Sequence, residues 1–160
     1  MLRKPFQDSP TPAGNSVAVL VLDRLAGLAD RSDLRAKAGE TLALFASKAA
    51  EYGLFAAAYG LALSNHLQSP VEVVVIGDAK DERTRDLLAA AYHAPRAAKR
   101  VLAFSPEAIK QGDLPAGLAA TLPSLPLSDA PLALVCFGTS CQPPVHTPSA
   151  LKEVLAAKAG

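Results

Sequence analysis

The chain has 160 residues, half of them hydrophobic and 19% charged. That is enough for one ordinary core or two small sub-domains, and it is the composition of a folded chain, not a disordered one. Net charge is +1 with no basic block, which weighs against nucleic acid and anionic membrane as partners, since both need concentrated Lys and Arg. No apolar run approaches the roughly 18 residues of a membrane span, and the segment Met1 to Asp8 lacks the apolar stretch of a secretory signal.

From about residue 12 to 68 the pattern predicts three helices. Thr11 to Asn15 supplies a turn, and Asn15 or Ser16 is placed to cap a helix running to about Ala29. Val17, Val19, Leu20, Val21, Leu22, Leu25 and Leu28 cover most of its circumference, so burial on several sides is expected. The second helix starts near Ser32 or Asp33 and carries Leu34, Ala38, Leu42, Phe45 and Ala49 on one stripe. The third, about Tyr52 to Leu67, shows Leu54, Phe55, Ala58, Tyr59, Leu61 and Ala62 and very little charge. Three such helices have more apolar face than they can hide among themselves. Either they pack on the second half, or they need helices from elsewhere.

Pro70 marks a change of period. Val71 to Ile76 is a β-branched run of strand length that stops at Gly77. A helix from about Asp81 to Tyr92 follows, then a second short strand, Arg100 to Phe104. Ser105-Pro106-Glu107 combines a capping hydroxyl with proline at the first helical position and opens a short helix. Gly112 to Pro131 reads as a long connection with one turn of helix, Leu132 to Phe137 as a third strand, and Pro148 to about Lys158 as a closing helix. Strand–helix–strand spacing favours parallel pairing with right-handed crossovers. The expected fold is therefore mixed α and α/β: a helical segment over 1–69, then a small three-stranded, parallel α/β subdomain over 70–160.

The chemistry-bearing residues are few. Gly77-Asp78 could aim helix N–H groups at an anion, but a dinucleotide fingerprint needs several glycines and this turn has one. The simpler reading is a tight turn with Asp78 or Asp81 as cap. Cys141, with Gln142, stands just past a strand, where ligands of open α/β sheets sit. A reactive thiolate there would need a cation or N–H groups beside it, so a structural thiol is the commoner reading, more so for Cys136 in mid-strand. Two such cysteines make no disulfide framework, and a reducing cytoplasm is the default compartment. No zinc-type spacing links His66, His93, His146 and Cys141, and no Gly-x-Ser-x-Gly elbow is present. Neither a metal nor a cofactor is expected. Asp8, Asn15 and Ser16 place a carboxylate, an amide and a hydroxyl around a turn beside a very apolar helix; the simpler reading is a structured loop.

Two motifs carry a resemblance: Asp8, Pro12, Ala13, Gly14, Asn15, Ser16, Val17 and Ala18 near the start, and Cys141, Gln142, Pro143, Pro144, Val145, Thr147, Pro148 and Leu151 near the end. In this order, with the alanine-rich helices and the strand Val71 to Ile76 between them, they resemble the carboxyl-terminal region of the spermatogenesis-associated, thioredoxin-domain-containing family. That family joins a thioredoxin-like domain to a six-hairpin (α/α)6 barrel and a small α/β region. The chain departs from the family at Ala13, where Ser is commoner, and at Thr147, where the family has Asp. The resemblance implies that the thioredoxin-like domain and most of the barrel lie outside this chain. It also implies that the helices complete a barrel, with Asp8 and Asn15 at its mouth.

Two functions follow as expectations. The first is an accessory or structural piece of such a protein, which self-associates or binds a barrel-bearing partner. The second is a freestanding small-molecule module or enzyme whose ligand sits above the strand ends, touching Gly77, Asp78, Ser105, Cys141 and Gln142.

Overall fold

The computed structural model describes residues 6–95, 98–125, 127 and 130–157. Its contacts divide the chain into two compact units. One runs to Gln68 and takes in Pro115–Gly117; the other comprises Ser69–Leu114 and the chain from Leu118 onward.

The helical unit holds α1 (Gly14–Leu28), α2 (Ser32–Ala49) and α3 (Ala57–Leu67), with a 3-10 segment Ala50–Ala56 before α3. α1 begins one residue ahead of the expected caps: Ala13 is its N-cap, and Asn15 and Ser16 lie inside its first turn. It ends in a Schellman-type turn, with Asp30 at φ +52° and Arg31 N donating to Ala26 O at 2.9 Å. α1 packs on both α2 and α3. The core of this unit contains Val19, Ala38, Leu42, Ala56, Tyr59 and Ala62. Phe6 closes it, stacked on Phe45 at 4.9 Å between ring centroids and edge-on to Tyr52 and Tyr59.

The inward stripe of α1 is Ser16, Val19, Asp23 and Ala26, while Val17, Leu20, Val21 and Leu25 are exposed. Burial on several sides, expected from composition, is thus not what α1 does. Its small and polar stripe faces α2 and α3, and its bulkiest aliphatic stripe faces water.

The second unit is built on a sheet of β1 (Val71–Ile76), β2 (Lys99–Phe104), β3 (Leu132–Phe137) and β4 (Ser140–Cys141), in the order β2-β1-β3-β4. α4 (Glu82–His93), α5 (Pro106–Gln111) and α6 (Pro148–Ala157) accompany it; the helix end expected near Lys158 falls outside the described residues. Val71, Val73 and Val75 pack against Leu87, Ala90 and Ala91 of α4 and Leu151 and Leu155 of α6. The opposite face sets Val74, Ile76, Leu132 and Leu134 against Ile109, Leu118 and Leu122. With both faces covered, β3 reads as an unbroken apolar run and β1 as one interrupted only by Glu72, not as alternating ones.

β1 and β2 are parallel, as the strand–helix–strand spacing predicts, but β3 runs antiparallel to β1. The three-stranded parallel layer is therefore corrected to a four-stranded mixed sheet. Helix length gives the reason. α4 has 12 residues, about 18 Å of helix, enough to return the chain along a six-residue strand. α5 has six residues, about 9 Å, and cannot. The chain leaves β2 at Phe104 and re-enters at Leu132, both register partners of Ile76, so the connection ends where it began.

Candidate functional site

Asp8 is a backbone clamp. Its Oδ1 accepts from Ala13 N at 2.7 Å and its Oδ2 from Ala58 N at 2.8 Å, while Asp8 N donates to Phe55 O at 2.8 Å. One carboxylate thus satisfies the N-cap amide of α1 and a first-turn amide of α3, groups with no partner inside their own helices. Asn15 is half-buried in the first turn of α1, and Ser16 is buried with its hydroxyl unpartnered. The three residues share one stretch of chain, yet Asp8 spends both oxygens on backbone.

A second polar cluster in this unit was not anticipated. Asp23 of α1 is buried, and its two oxygens lie 3.0 and 3.1 Å from Nδ1 of His66 on α3. Arg35 of α2 stands 3.5 Å from Asp23 Oδ1 and donates to His66 O at 2.6 Å. Each helix contributes one member. An Asp-oriented imidazole is a familiar catalytic part, but here its Nε2 lies against Gly39 of α2, where a Cβ would stand 3.3 Å away. The cluster ties three helices together. The signal available in sequence was Asp23 itself, a lone charge in line with Val19 and Ala26 on α1.

In the sheet unit, a cleft of about 270 Å³ opens at the carboxyl ends of β1 and β2. Gly77, Asp78 and Asp81 line one side, Pro106, Glu107 and Lys110 of α5 another, and Pro131 a third. Its charged groups are three carboxylates and one amine. Two amides of this turn are already taken: Asp81 Oδ1 accepts from Arg83 N at 2.9 Å as the α4 cap, and Asp78 Oδ1 accepts from Lys80 N at 2.8 Å. Arg83 beside it holds the Asp81 carboxyl below the usual carboxylate range. Gly77 serves packing, because a Cβ there would strike the Thr84 side chain and come within 2.8 Å of Pro131. Ser105 caps α5, its Oγ accepting from Ala108 N at 3.1 Å.

Cys141 and Gln142 are at the other end of the sheet. β3 runs antiparallel, so its carboxyl end pairs with the start of β1, Phe137 opposite Val71. Cys141 is level with Cys136 and Glu72, and five strand steps, about 17 Å, separate Glu72 from Gly77. No small ligand spans both groups, which corrects the expectation that Gly77, Asp78, Ser105, Cys141 and Gln142 share one. Cys136 and Cys141 are a disulfide, not two thiols, so they no longer argue for a reducing compartment. The signal was in the sequence: a two-residue turn, Gly138-Thr139, sets Cys136 directly opposite Cys141. Gly138 at φ +60° occupies the first central position, where a II′ hairpin requires glycine.

Gln142 N donates to Val135 O at 2.8 Å, and Val145 exchanges both backbone bonds with Ala133. Pro143 and Pro144 fall between these pairs, two residues facing one, as a bulge on the sheet edge. Thr147 Oγ1 accepts from Ala150 N at 3.3 Å and caps α6. His146 Nδ1 lies 2.9 Å from Pro131 O. Among the described residues, no three His, Cys, Asp or Glu side chains gather as a metal set, and no helix is long and apolar enough to cross a membrane.

No family model, curated protein or solved structure matches the chain.

Proposed function

We propose that this chain is an accessory piece of a larger helical assembly, of the kind formed by the carboxyl-terminal region of the thioredoxin-domain-containing, α/α-barrel family it resembles. The helical unit docks through α1, either on a second copy or on a barrel-bearing partner. The observation that carries this reading is the outward stripe of α1. Val17, Leu20, Val21 and Leu25 follow the i, i+3, i+4, i+8 spacing of one helix face, and all are exposed. Leu54 at 90% and Leu61 at 69% exposure add to the apolar surface of the same unit. A helix that turns Ser16 and Asp23 inward and four aliphatic side chains outward is shaped for a neighbour, since large contiguous apolar patches mark interaction surfaces.

Sedimentation of the full chain over a range of concentrations tests this. Association that disappears in the Val21→Asp, Leu25→Asp double variant, with its helix content unchanged, is the expected result. A well-folded wild-type chain that stays monomeric and forms no complex in co-expression with a barrel protein of this family would overturn the reading.

A further inference from the structure

One row of side chains crosses all four strands. Register pairs Arg100 of β2 with Glu72 of β1, Glu72 with Cys136 of β3, and Cys136 with Cys141 of β4. Residues opposite each other in a ladder share a face of the sheet. Arg100 and Glu72 form a charge pair at 2.9 Å, off the hydrogen-bond direction, with side chains only 10% and 15% exposed. Cys136 is buried and Cys141 is exposed on the edge strand. The row passes from a sheltered ion pair, through a buried cysteine, to a cysteine exposed on the edge strand.

We propose that Cys136–Cys141 is an exchangeable disulfide, a redox site that takes an electron pair from an external dithiol through Cys141. Access decides the direction, because exchange needs a thiolate at one sulfur with the other as leaving group. Of the two cysteines only Cys141 is exposed, so attack is expected at its sulfur. A thiolate of the dithiol bonds to Cys141 Sγ, the protein S–S bond breaks, and Cys136 leaves with the electron pair and takes a proton. Glu72 stands opposite Cys136 in the ladder, so the electron pair leaves beside a negative charge. The second thiol of the dithiol loses its proton and attacks the mixed disulfide, releasing Cys141 as a thiolate that is then protonated. The dithiol ends oxidised to its disulfide; the protein has gained two electrons and two protons.

The hairpin does not depend on the bond. The Gly138 turn, the Gln142–Val135 hydrogen bond and the Val145–Ala133 pair hold β4 and the following segment against β3 without it. The cysteines are five positions apart, so the bond closes a short loop and constrains the unfolded chain less than a long-loop disulfide would. Both redox states are therefore compatible with one fold, as an exchange site requires.

The test titrates the full chain in mixtures of reduced and oxidised glutathione, trapping free thiols by alkylation and reading the intact mass. Both forms should be populated across the series with circular dichroism unchanged. The Cys136→Ser chain should take up glutathione from its disulfide at least about tenfold faster than the Cys141→Ser chain, following the difference in access. In dithiothreitol, Glu72→Gln should be reduced severalfold faster than wild type, because the leaving sulfur no longer faces a negative charge; an unchanged rate overturns Cys136 as the leaving sulfur. A disulfide that resists excess reduced glutathione until the chain is denatured, or equal uptake by the two cysteine variants, overturns the proposal and leaves a structural staple. The wild-type titration stands even where a variant fails to fold.

Discussion

In β1 every side chain from Val71 to Ile76 is buried except Glu72, whereas in α1 Val17, Leu20, Val21 and Leu25 face water while Ser16 and Asp23 are buried. Two apolar segments of similar composition thus meet opposite fates. A strand covered on both faces offers its residues no choice, so an apolar run of strand length already tells its burial. A helix does offer a choice. In α1 it is made by what the inner stripe must meet: Asp23 faces Arg35 and His66, and Val19 joins the core formed with α2 and α3.

The largest test of that contrast sets one leucine from each region side by side. Leu134 is 2% exposed and Leu25 45% exposed. Leu134→Ala should destabilise the sheet unit by about 2–5 kcal/mol, the range for emptying a packed site. Leu25→Ala should stay within about 0.5 kcal/mol in the monomer, as for surface positions away from special features. Equilibrium unfolding combined with amide exchange of β3 and α1 reads the two effects separately. A large loss at Leu25 would show that the outer stripe of α1 is already covered, and the contrast would fail.

A smaller effect belongs to Asp8. Asp8→Ala strands the amides of Ala13 and Ala58 and should cost about 2 kcal/mol, as hydrogen bonds to a charged group do. The loss should appear as faster exchange in the first turns of α1 and α3 while β1 and β3 are unchanged. Asp8→Asn, keeping one acceptor, should recover about half of it. Equal loosening of both units would mean that Asp8 supports more than the helical unit.

What the sequence could show divides along the same line. Local chemistry was legible: Ser105-Pro106 as a cap, Val71 to Ile76 as a buried strand, Gly77 as its stop. Partnerships across many residues were not. Asp8 reads as part of a loop because its partner amide at Ala58 is 50 positions away. His66 reads as a helix-end imidazole because Asp23 lies 43 positions back. The direction of β3 depended on the length of α5, which the long connection after it obscured. The disulfide was within reach, since Gly138-Thr139 is a hairpin turn. Compartment says nothing of register, and register is what sets Cys136 opposite Cys141.

Lys99 gives the smallest and most specific test on the sheet side. Its Nζ donates to Ala91 O at 2.5 Å, Ala94 O at 2.6 Å and Tyr92 O at 3.1 Å, so the first residue of β2 closes the carboxyl end of α4. A cation is well placed at that helix end, and Lys99→Met should cost about 1 kcal/mol, the upper end for such surface contacts. Burial nevertheless holds the Lys99 amine below its ordinary value of 10.5. Between the lowered folded value and 10.5 the unfolded chain binds more proton than the folded one, so this group adds stability as pH rises through that alkaline window. Below the window the burial penalty is present in full. The advantage of wild type over Lys99→Met should therefore widen on going from neutral to alkaline pH in paired unfolding curves. Should it narrow instead, attraction between the ammonium and the helix end outweighs burial, and α4 owes its closure to charge.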